Sequence, residues 1–439
     1  MKAHLRPLCG IVILMLAPSI HAAPPDEPAV VSADAAVILR NRATGPWTMT
    51  ERSDFSRYEN GRYTGHVYRE VRAHLSPQPG GGYRGPFIVL EETLRNELLA
   101  ARPVDEVVEV ALSFGKDGSM LIAEDRGLPQ LRGFPAFPAT AVVPGSSWTV
   151  SAERALDPDN SAVITRVPIF AACVYRGRET YKGREVFRVS AKYASRYRNP
   201  QAQSGGFSGL EGTHDVDILI DAASGLPLLM RDRLDETFTF PDGRTLRHKG
   251  FTLIFSEFVA PLDTGGLVAA LRGPAPASSM GPDRPLVPGD DFELEDGTVA
   301  SPNGTDSGAL PPLGPVDGIT VAQGERGLVL TLENVRFKPD SDEFLADEAG
   351  RLDRIARALA SAGKRQILVE GHTADVGRPE AEAALSLRRA KRTVDELVAR
   401  GLPAALFVYR GLGATDPLVP NTSEENRARN RRVEITILE

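Results

Sequence analysis

Cysteine is scarce: the 439-residue chain holds Cys9 and Cys173 and no other. Cys9 falls in the N-terminal leader described below. One thiol then remains, and an intramolecular disulfide or a CxxC metal site is excluded. Cys173 sits in the apolar run IFAACVY and reads as a buried thiol. Basic residues show no surplus: the formal charge of −7 is the wrong sign for a dedicated nucleic-acid binder, so no nucleic-acid partner is expected. Aromatic residues, at 6%, are too few for the two interfacial girdles of a membrane barrel. The apolar run near the N-terminus falls short of the roughly 20 residues that span a bilayer as a helix. Enzyme signatures are missing too. Outside the leader the histidines are His66, His74, His214, His248 and His372, and none forms HExxH or a close pair that would hold zinc. Ser208 in GGFSGLEG lacks the glycine two places on that a nucleophile elbow requires. Ser361 to Lys364 fits S-x-x-K without its partner motifs. Neither catalysis nor a cofactor is expected.

Apolar residues make up 42% of the chain and charged residues 25%, enough for a sizeable core and for two or three domains at this length. The first residues, MKAHLRPLCGIVILMLAPSIHAAPP, combine basic Lys2 and Arg6, an apolar stretch from Leu8 to Leu16 and a small-residue site at Ile20-His21-Ala22. Residues 1–22 are therefore read as a secretory signal peptide, which implies export to the periplasm, with association to the outer membrane left open. Residues 24–34 are rich in Pro, Ala and Asp and read as a short tether.

From 35 to 260 the texture is that of β-strands. Strand-length apolar runs alternate with turn signals at Lys116-Asp117-Gly118, Ser224-Gly225 and Pro241-Asp242-Gly243, which predict antiparallel hairpins. Asp215, Asp217, Arg231, Asp232 and Arg233 place charge along these strands. This favours a soluble curved sheet or half-barrel over a lipid-facing barrel. Residues 261–316 are dominated by Pro, Gly, Ser and Asp without sustained period. Such composition predicts a linker of average span about 40 Å if flexible.

After the linker, strands and helices alternate. GLVLTLENVRF (327–337) reads as a strand and 342–363 as a helix capped by Ser341 or Asp340 and closed by Gly363. QILVEGHT (366–373) is a buried strand, Leu387, Ala390, Val394 and Leu397 mark a second helix, and LFVYRGLG (406–413) and RRVEITIL (431–438) complete the set. The fold class expected for the chain is α+β: a C-terminal two-layer βαβαββ-type domain with a mixed sheet, preceded by a mainly antiparallel β domain.

Four blocks, VRFKPDSDEFL, EGHTADVG, ALSLRRAKRTVDELVARGLP and YRGLGATDPLVPNTSEENRARNRRVEI, occur in an order that resembles the OmpA-like C-terminal, peptidoglycan-associated domain family. The resemblance covers roughly 317–439 and nothing upstream. It implies non-covalent binding of the peptidoglycan stem peptide by the free end of its diamino acid. A guanidinium clamps a carboxylate with paired hydrogen bonds, a carboxylate balances an ammonium, and backbone N–H groups complete the anion's shell. Carried over residue by residue, the expected binding residues are Thr373, Ala374, Asp375, Leu385, Arg389 and Asp340.

One position departs from the family block G-H-T-D-x-x-G. Ala374 stands where the acid belongs, and Asp375 follows it with the spacing to Gly377 intact. Three readings stay open: Asp375 reaches the ammonium from the next position, or it points away and only shapes the turn, or the ligand carries another diamino acid such as ornithine or lysine. Arg389 could instead pair with Glu382 or Glu396, and Asp340 could simply cap a helix. The expected function is that of an envelope protein joining a periplasmic β-rich module, with unidentified outer-membrane or envelope partners, to the wall. The alternatives are an assembly protein with a degenerate pocket and a wall-anchored membrane barrel.

Overall fold

The computed structural model describes residues 36–92, 101–202, 205–272, 313–316, 318–333, 335–338 and 340–439. The leader at 1–22, the tether at 24–34 and most of the 261–316 linker lie outside them. The N-terminal part contributes β1 (Trp47–Glu59), β2 (Arg62–Pro77), β3 (Tyr83–Glu92), the two-residue β4 (Arg102–Pro103), β5 (Glu106–Phe114), β6 (Met120–Ile122), β7 (Leu131–Arg132), β8 (Ser147–Leu156), β9 (Thr165–Tyr181), β10 (Arg184–Arg198), β11 (Gly209–Asp221), β12 (Pro227–Thr239) and β13 (Thr245–Phe258). All except β4 join one antiparallel sheet in the order β6-β5-β3-β2-β1-β13-β12-β11-β10-β9-β8-β7. Among the described residues β6 and β7 are its two edges, so hydrogen bonding does not close it into a barrel. The turns read at 116–118, 224–225 and 241–243 connect β5 to β6, β11 to β12 and β12 to β13.

Period-2 alternation puts Ile169, Val189, Ile218, Met230 and Ile254 into one core on the inner face of this sheet. Cys173 belongs to it, a free thiol pushed up to about 12 by burial. The charges that argued against a lipid-facing barrel do not interrupt β12. Arg231 and Arg233 face outward, where Arg231 pairs with Asp217 at 3.2 Å, while Asp232 faces inward. Asp232 joins a buried polar cluster. Arg154 grips Glu236 through both Nη atoms at 2.6 and 3.1 Å, His214 Nδ1 lies 2.8 Å from Asp232, and the His214 ring stacks on Tyr193 at 4.1 Å.

The C-terminal part adds α1 (Thr264–Arg272), β14 (Leu313–Val316), β15 (Ile319–Gly324), β16 (Gly327–Leu332), α2 (Ala349–Ala360), β17 (Ile367–His372), α3 (Pro379–Ala399), β18 (Phe407–Gly413), α4 (Glu424–Asn430) and β19 (Val433–Leu438). The chain is thus α+β, with a large antiparallel sheet and a smaller mixed one ordered β14-β15-β16-β19-β17-β18-β4, in which β17 runs parallel to β18 and antiparallel to β19. Two local readings change. Residues 264–272, taken as linker, form α1, because Leu267 and Leu271 lie four residues apart on one helix face and bury against the α2 side of the domain. The helix expected from 342 begins at α2 with a short 3-10 turn before it, so neither Asp340 nor Ser341 caps it. Leu387 is exposed, and α3 buries Ser386, Ala390, Thr393, Val394 and Leu397 instead.

The second face of the small sheet is not left to solvent. Leu368, Val408 and Leu438 pack there against Ile88 and Leu90 of β3. Five such side chains left in water would cost on the order of 10 kcal/mol, so the two parts are docked, not merely strung together. The contact is also knitted by polar groups. β4 pairs in parallel with β18, and the next two residues donate to both sheets, Val104 N–H to Tyr409 O and Asp105 N–H to Val89 O. His74 Nε2 lies 3.0 Å from Gln366 Oε1, and Arg326 reaches Glu109 at 2.5 Å and Glu370 at 3.3 Å. Behind β4, the buried Glu70 carboxylate accepts from Arg52 (2.9 Å), Arg72 and Tyr68 (2.7 Å) and pairs with Arg102 at 3.3 Å.

Candidate functional site

The loop between β17 and α3 sits where a strand end, a helix start and the C-terminal strand meet. Two glycines let them approach: a Cβ on Gly371 would run into the Ser386 carbonyl oxygen, and one on Gly411 into the Leu387 backbone nitrogen. Close packing of α3 on β17 and β18 follows, fixed by the Ser386 hydroxyl, which accepts from Gly413 N–H at 2.9 Å. The strand end is held by His372 N–H to Arg432 O (3.0 Å) and Thr373 N–H to Gly413 O (2.8 Å). The loop itself is organised by Glu382, whose Oε1 accepts the Val376 and Gly377 N–H groups at 2.8 and 2.6 Å. Pro379 opens the helix, where a missing N–H costs nothing.

Above this loop lies a cleft of about 480 Å³. Thr373, Ala374, Leu385, Arg389 and Asp340 all line it, with Phe337 and His372. Asp375 does not: it is exposed and outside the lining, while the Ala374 methyl is buried in the wall. The sequence therefore brought five of its six candidates to one place.

Arg389 is held without being consumed. Its guanidinium lies 4.8 Å over the Phe337 ring, itself stacked on Phe344 at 4.4 Å, and its Nε donates to Ser341 O at 3.0 Å. Among the described residues no carboxylate comes within ion-pairing distance of it. The two acids that sequence offered as partners are engaged elsewhere: Glu382 with the loop, and Glu396 with Arg392 and Arg400. Burial, and then the Arg431 charge, pulls Arg389 below its ordinary value, while Asp340 pulls it up. The neighbouring cations are spent: Lys338 on Glu343, Arg431 on Glu424, and Arg432 on Glu434 at 2.6 Å.

Thr373, a candidate from the sequence, and His372, which was not one, are both buried at the cleft. Among the described residues Thr373 Oγ1 has no hydrogen-bond partner, while His372 Nε2 lies 3.9 Å from Glu434 Oε2 and the ring also faces the Asp416 backbone. Burial, then Arg432 and Arg410, lowers His372 to about 3, so its ring is neutral. Phe337 and Glu382 escaped the sequence reading. Phe337 stood in a segment read as strand, and Glu382 was weighed only as an ion-pair partner, although an acid in the first turns of a helix is placed to accept loop N–H groups. Chemically, the cleft offers one unpaired guanidinium, one uncommitted acid, a neutral imidazole, a hydroxyl and an apolar wall. That is a binding inventory for a small polar end-group.

The OmpA family model matches residues 336–431. Peptidoglycan-binding protein ArfA of Mycobacterium tuberculosis is 30% identical over 131 residues, covering 30% of this chain and 40% of that protein. The peptidoglycan-associated lipoprotein of Pseudomonas aeruginosa is 32% identical over 122 residues, covering 28% of this chain and 70% of the relative. Among solved structures, the cell wall anchor of the T6SS from Pseudomonas aeruginosa is 32% identical, covers 28% of this chain and 88% of that one, and superposes with a TM-score of 0.26. The chain spans about 40% of the ArfA relatives' length.

Proposed function

This chain belongs to the OmpA family through its C-terminal domain, and from that premise we propose that it binds peptidoglycan non-covalently, with the end of a stem peptide in the cleft beside α3. The observation that carries the reading is the state of Arg389, aimed by Phe337 and Ser341 and, among the described residues, left without a counter-ion. A stem-peptide carboxylate completes it with two parallel hydrogen bonds. Thr373 Oγ1 supplies a further donor, and Leu385 and Ala374 pack against the aliphatic part of the ligand.

In this reading the chain acts in the periplasm by binding rather than catalysis. The cleft is lined by α3, the end of β17 and loops of the C-terminal part, whereas the β-rich part contacts the face of the small sheet that carries Leu368, Val408 and Leu438. The β-rich part is then carried at the wall in a fixed attitude, not at the end of a loose tether. Envelope partners would meet it on surfaces away from β2, β3 and β4. The experiment is co-sedimentation of the full exported chain with insoluble peptidoglycan. Wild type is expected to pellet with the wall and Arg389→Ala to stay about tenfold more in solution, one charge-assisted contact being worth roughly 1.5–3 kcal/mol. Wild type remaining in solution with every wall type would instead favour the degenerate-pocket alternative.

A further inference from the structure

Among the described residues the large sheet is one strand short of closure. Without the two-residue β7 it has eleven strands, each antiparallel to its neighbours, so the end strands β6 and β8 run in the same direction. They cannot pair antiparallel with each other, whereas one strand running against both fits between them. β7 begins such a strand. Leu131 and Arg132 pair with Arg154 and Glu153, but Gly133 has a φ of 67°, Phe134 turns into the core and Pro135 lacks an N–H. Beyond that point β6 and β8 flank a slot of about 770 Å³.

The register shows which backbone groups look into the slot. Bonds from β8 to β9 fall on even-numbered residues, in step with Tyr175 N–H to Ser146 O, while β7 takes Glu153 and Ala155, the latter through Ala155 N–H to Gln130 O at 2.8 Å. That leaves Thr149 and Ser151. On β6, Ala123 N–H to Ala111 O and Gly115 N–H to Ser119 O turn the odd-numbered residues towards β5, which leaves Met120 and Ile122. Among the described residues the N–H and C=O groups of these four make no hydrogen bond. Neither edge carries the lysine, proline or bulge that blunts an exposed strand. Both ends of the slot are closed, one by Phe137 N–H to Asp117 O at 2.7 Å and the other by Arg132, which holds Asp125 at 2.6 Å and Glu153 at 3.3 Å. The middle is uncharged, with Val150 and Ala152 turned to one core and Met120 and Ile122 to another. A charged side chain pointing inward there would go uncompensated, and a recess closed at both ends admits a single strand but not the edge of a second folded sheet. We propose that the slot is a docking site for one extended segment of a partner protein, antiparallel to β6 and β8 and apolar on its inward face, which supplies the strand that closes the sheet. This inference does not depend on the wall-binding reading.

The test is amide hydrogen exchange of the full chain, alone and with a blocked hexapeptide of alternating valine and threonine at millimolar concentration. Main-chain hydrogen bonds supply the affinity in strand addition, so this probe does not require the partner's own sequence. In the free chain the amides of Thr149, Ser151, Met120 and Ile122 are expected to exchange freely, and with the peptide to slow about tenfold or more. Val150 and Leu121, already bonded to β9 and β5, should not change. The same peptide N-methylated throughout should protect nothing, a control that involves no variant. Thr149→Pro removes a slot-facing donor and leaves the β9 ladder intact, so the peptide should protect Met120 and Ile122 less. The inference falls if the peptide slows none of the four amides, or if the methylated peptide slows them equally. It falls as well if the four are protected in the free chain, which would give the slot to the chain itself, or if protection grows with protein concentration alone, which would give it to a second copy.

Discussion

Glu70 offers a quantitative handle on the contact between the two sheets. Its carboxylate is 1% exposed and faces Arg52, Arg72 and Arg102, the last on the strand that joins β18. Burial alone would raise it, but the three guanidinium groups and the Tyr68 hydroxyl outweigh burial and hold it at about 2, against an ordinary 4.5. At about 1.4 kcal/mol per pH unit, that gap amounts to about 3 kcal/mol of stability. For a lowered acid, the contribution is complete above 4.5 and disappears as pH falls through about 2. Glu70→Gln keeps the shape and removes the charge, leaving three arginines around a neutral amide. Thermal unfolding at pH 7 should then drop by about 6–12 °C, at roughly 2–4 °C per kcal/mol for a part of this size. By pH 3 the gap between variant and wild type should shrink to less than about half, because the carboxyl of the unfolded wild-type chain, at the ordinary 4.5, is protonated there and folding must release that proton. A variant that melts within about 1 °C of wild type at pH 7, or a gap independent of pH, would refute the reasoning.

Burial and Arg154 push the His214 imidazole down, but the hydrogen bonds it donates to Asp232 and Glu236 win and leave it above 6.5. Its contribution is therefore present below 6.5 and lost as pH climbs past the folded value, so wild type should melt lower at pH 8.5 than at pH 6.5, and His214→Gln should flatten that slope. His74, His248 and His372 lie well below this window; a slope that survives the substitution would count against the cluster. A protease site inserted between 280 and 300 and then cut should leave two fragments that co-elute on gel filtration, since Ile88, Leu90, Leu368, Val408 and Leu438 hold them together. Separate elution would show that the contact needs the covalent chain.

The docking was only half visible in the sequence. In QILVEGH, Ile367, Leu368 and Val369 are apolar on both faces of a strand, the pattern of a sheet covered on both sides. Nothing local says that β3, nearly three hundred residues earlier, provides the cover. α1 was hidden by Gly265-Gly266 and by the composition around it, although Leu267 and Leu271 carry the helical spacing. β4 is two residues long and made by its partner strand, so no periodicity could reveal it. At the cleft, motif order located Thr373, Leu385 and Arg389 because the loop and helix are local structures. Which charged groups at the cleft stay unpaired was not local. It depends on which carboxylates are already engaged, and Glu382, Glu424 and Glu434 are assigned only once the chain is folded.

The most direct test of the central claim is the affinity of the full chain for one soluble stem-peptide fragment ending in a free diamino acid, measured for wild type and Arg389→Ala side by side. The account predicts saturable one-site binding by wild type, weakened about tenfold or more by the substitution, with unchanged melting temperature. Equal affinities for the two proteins, or no saturable binding by wild type, would contradict it.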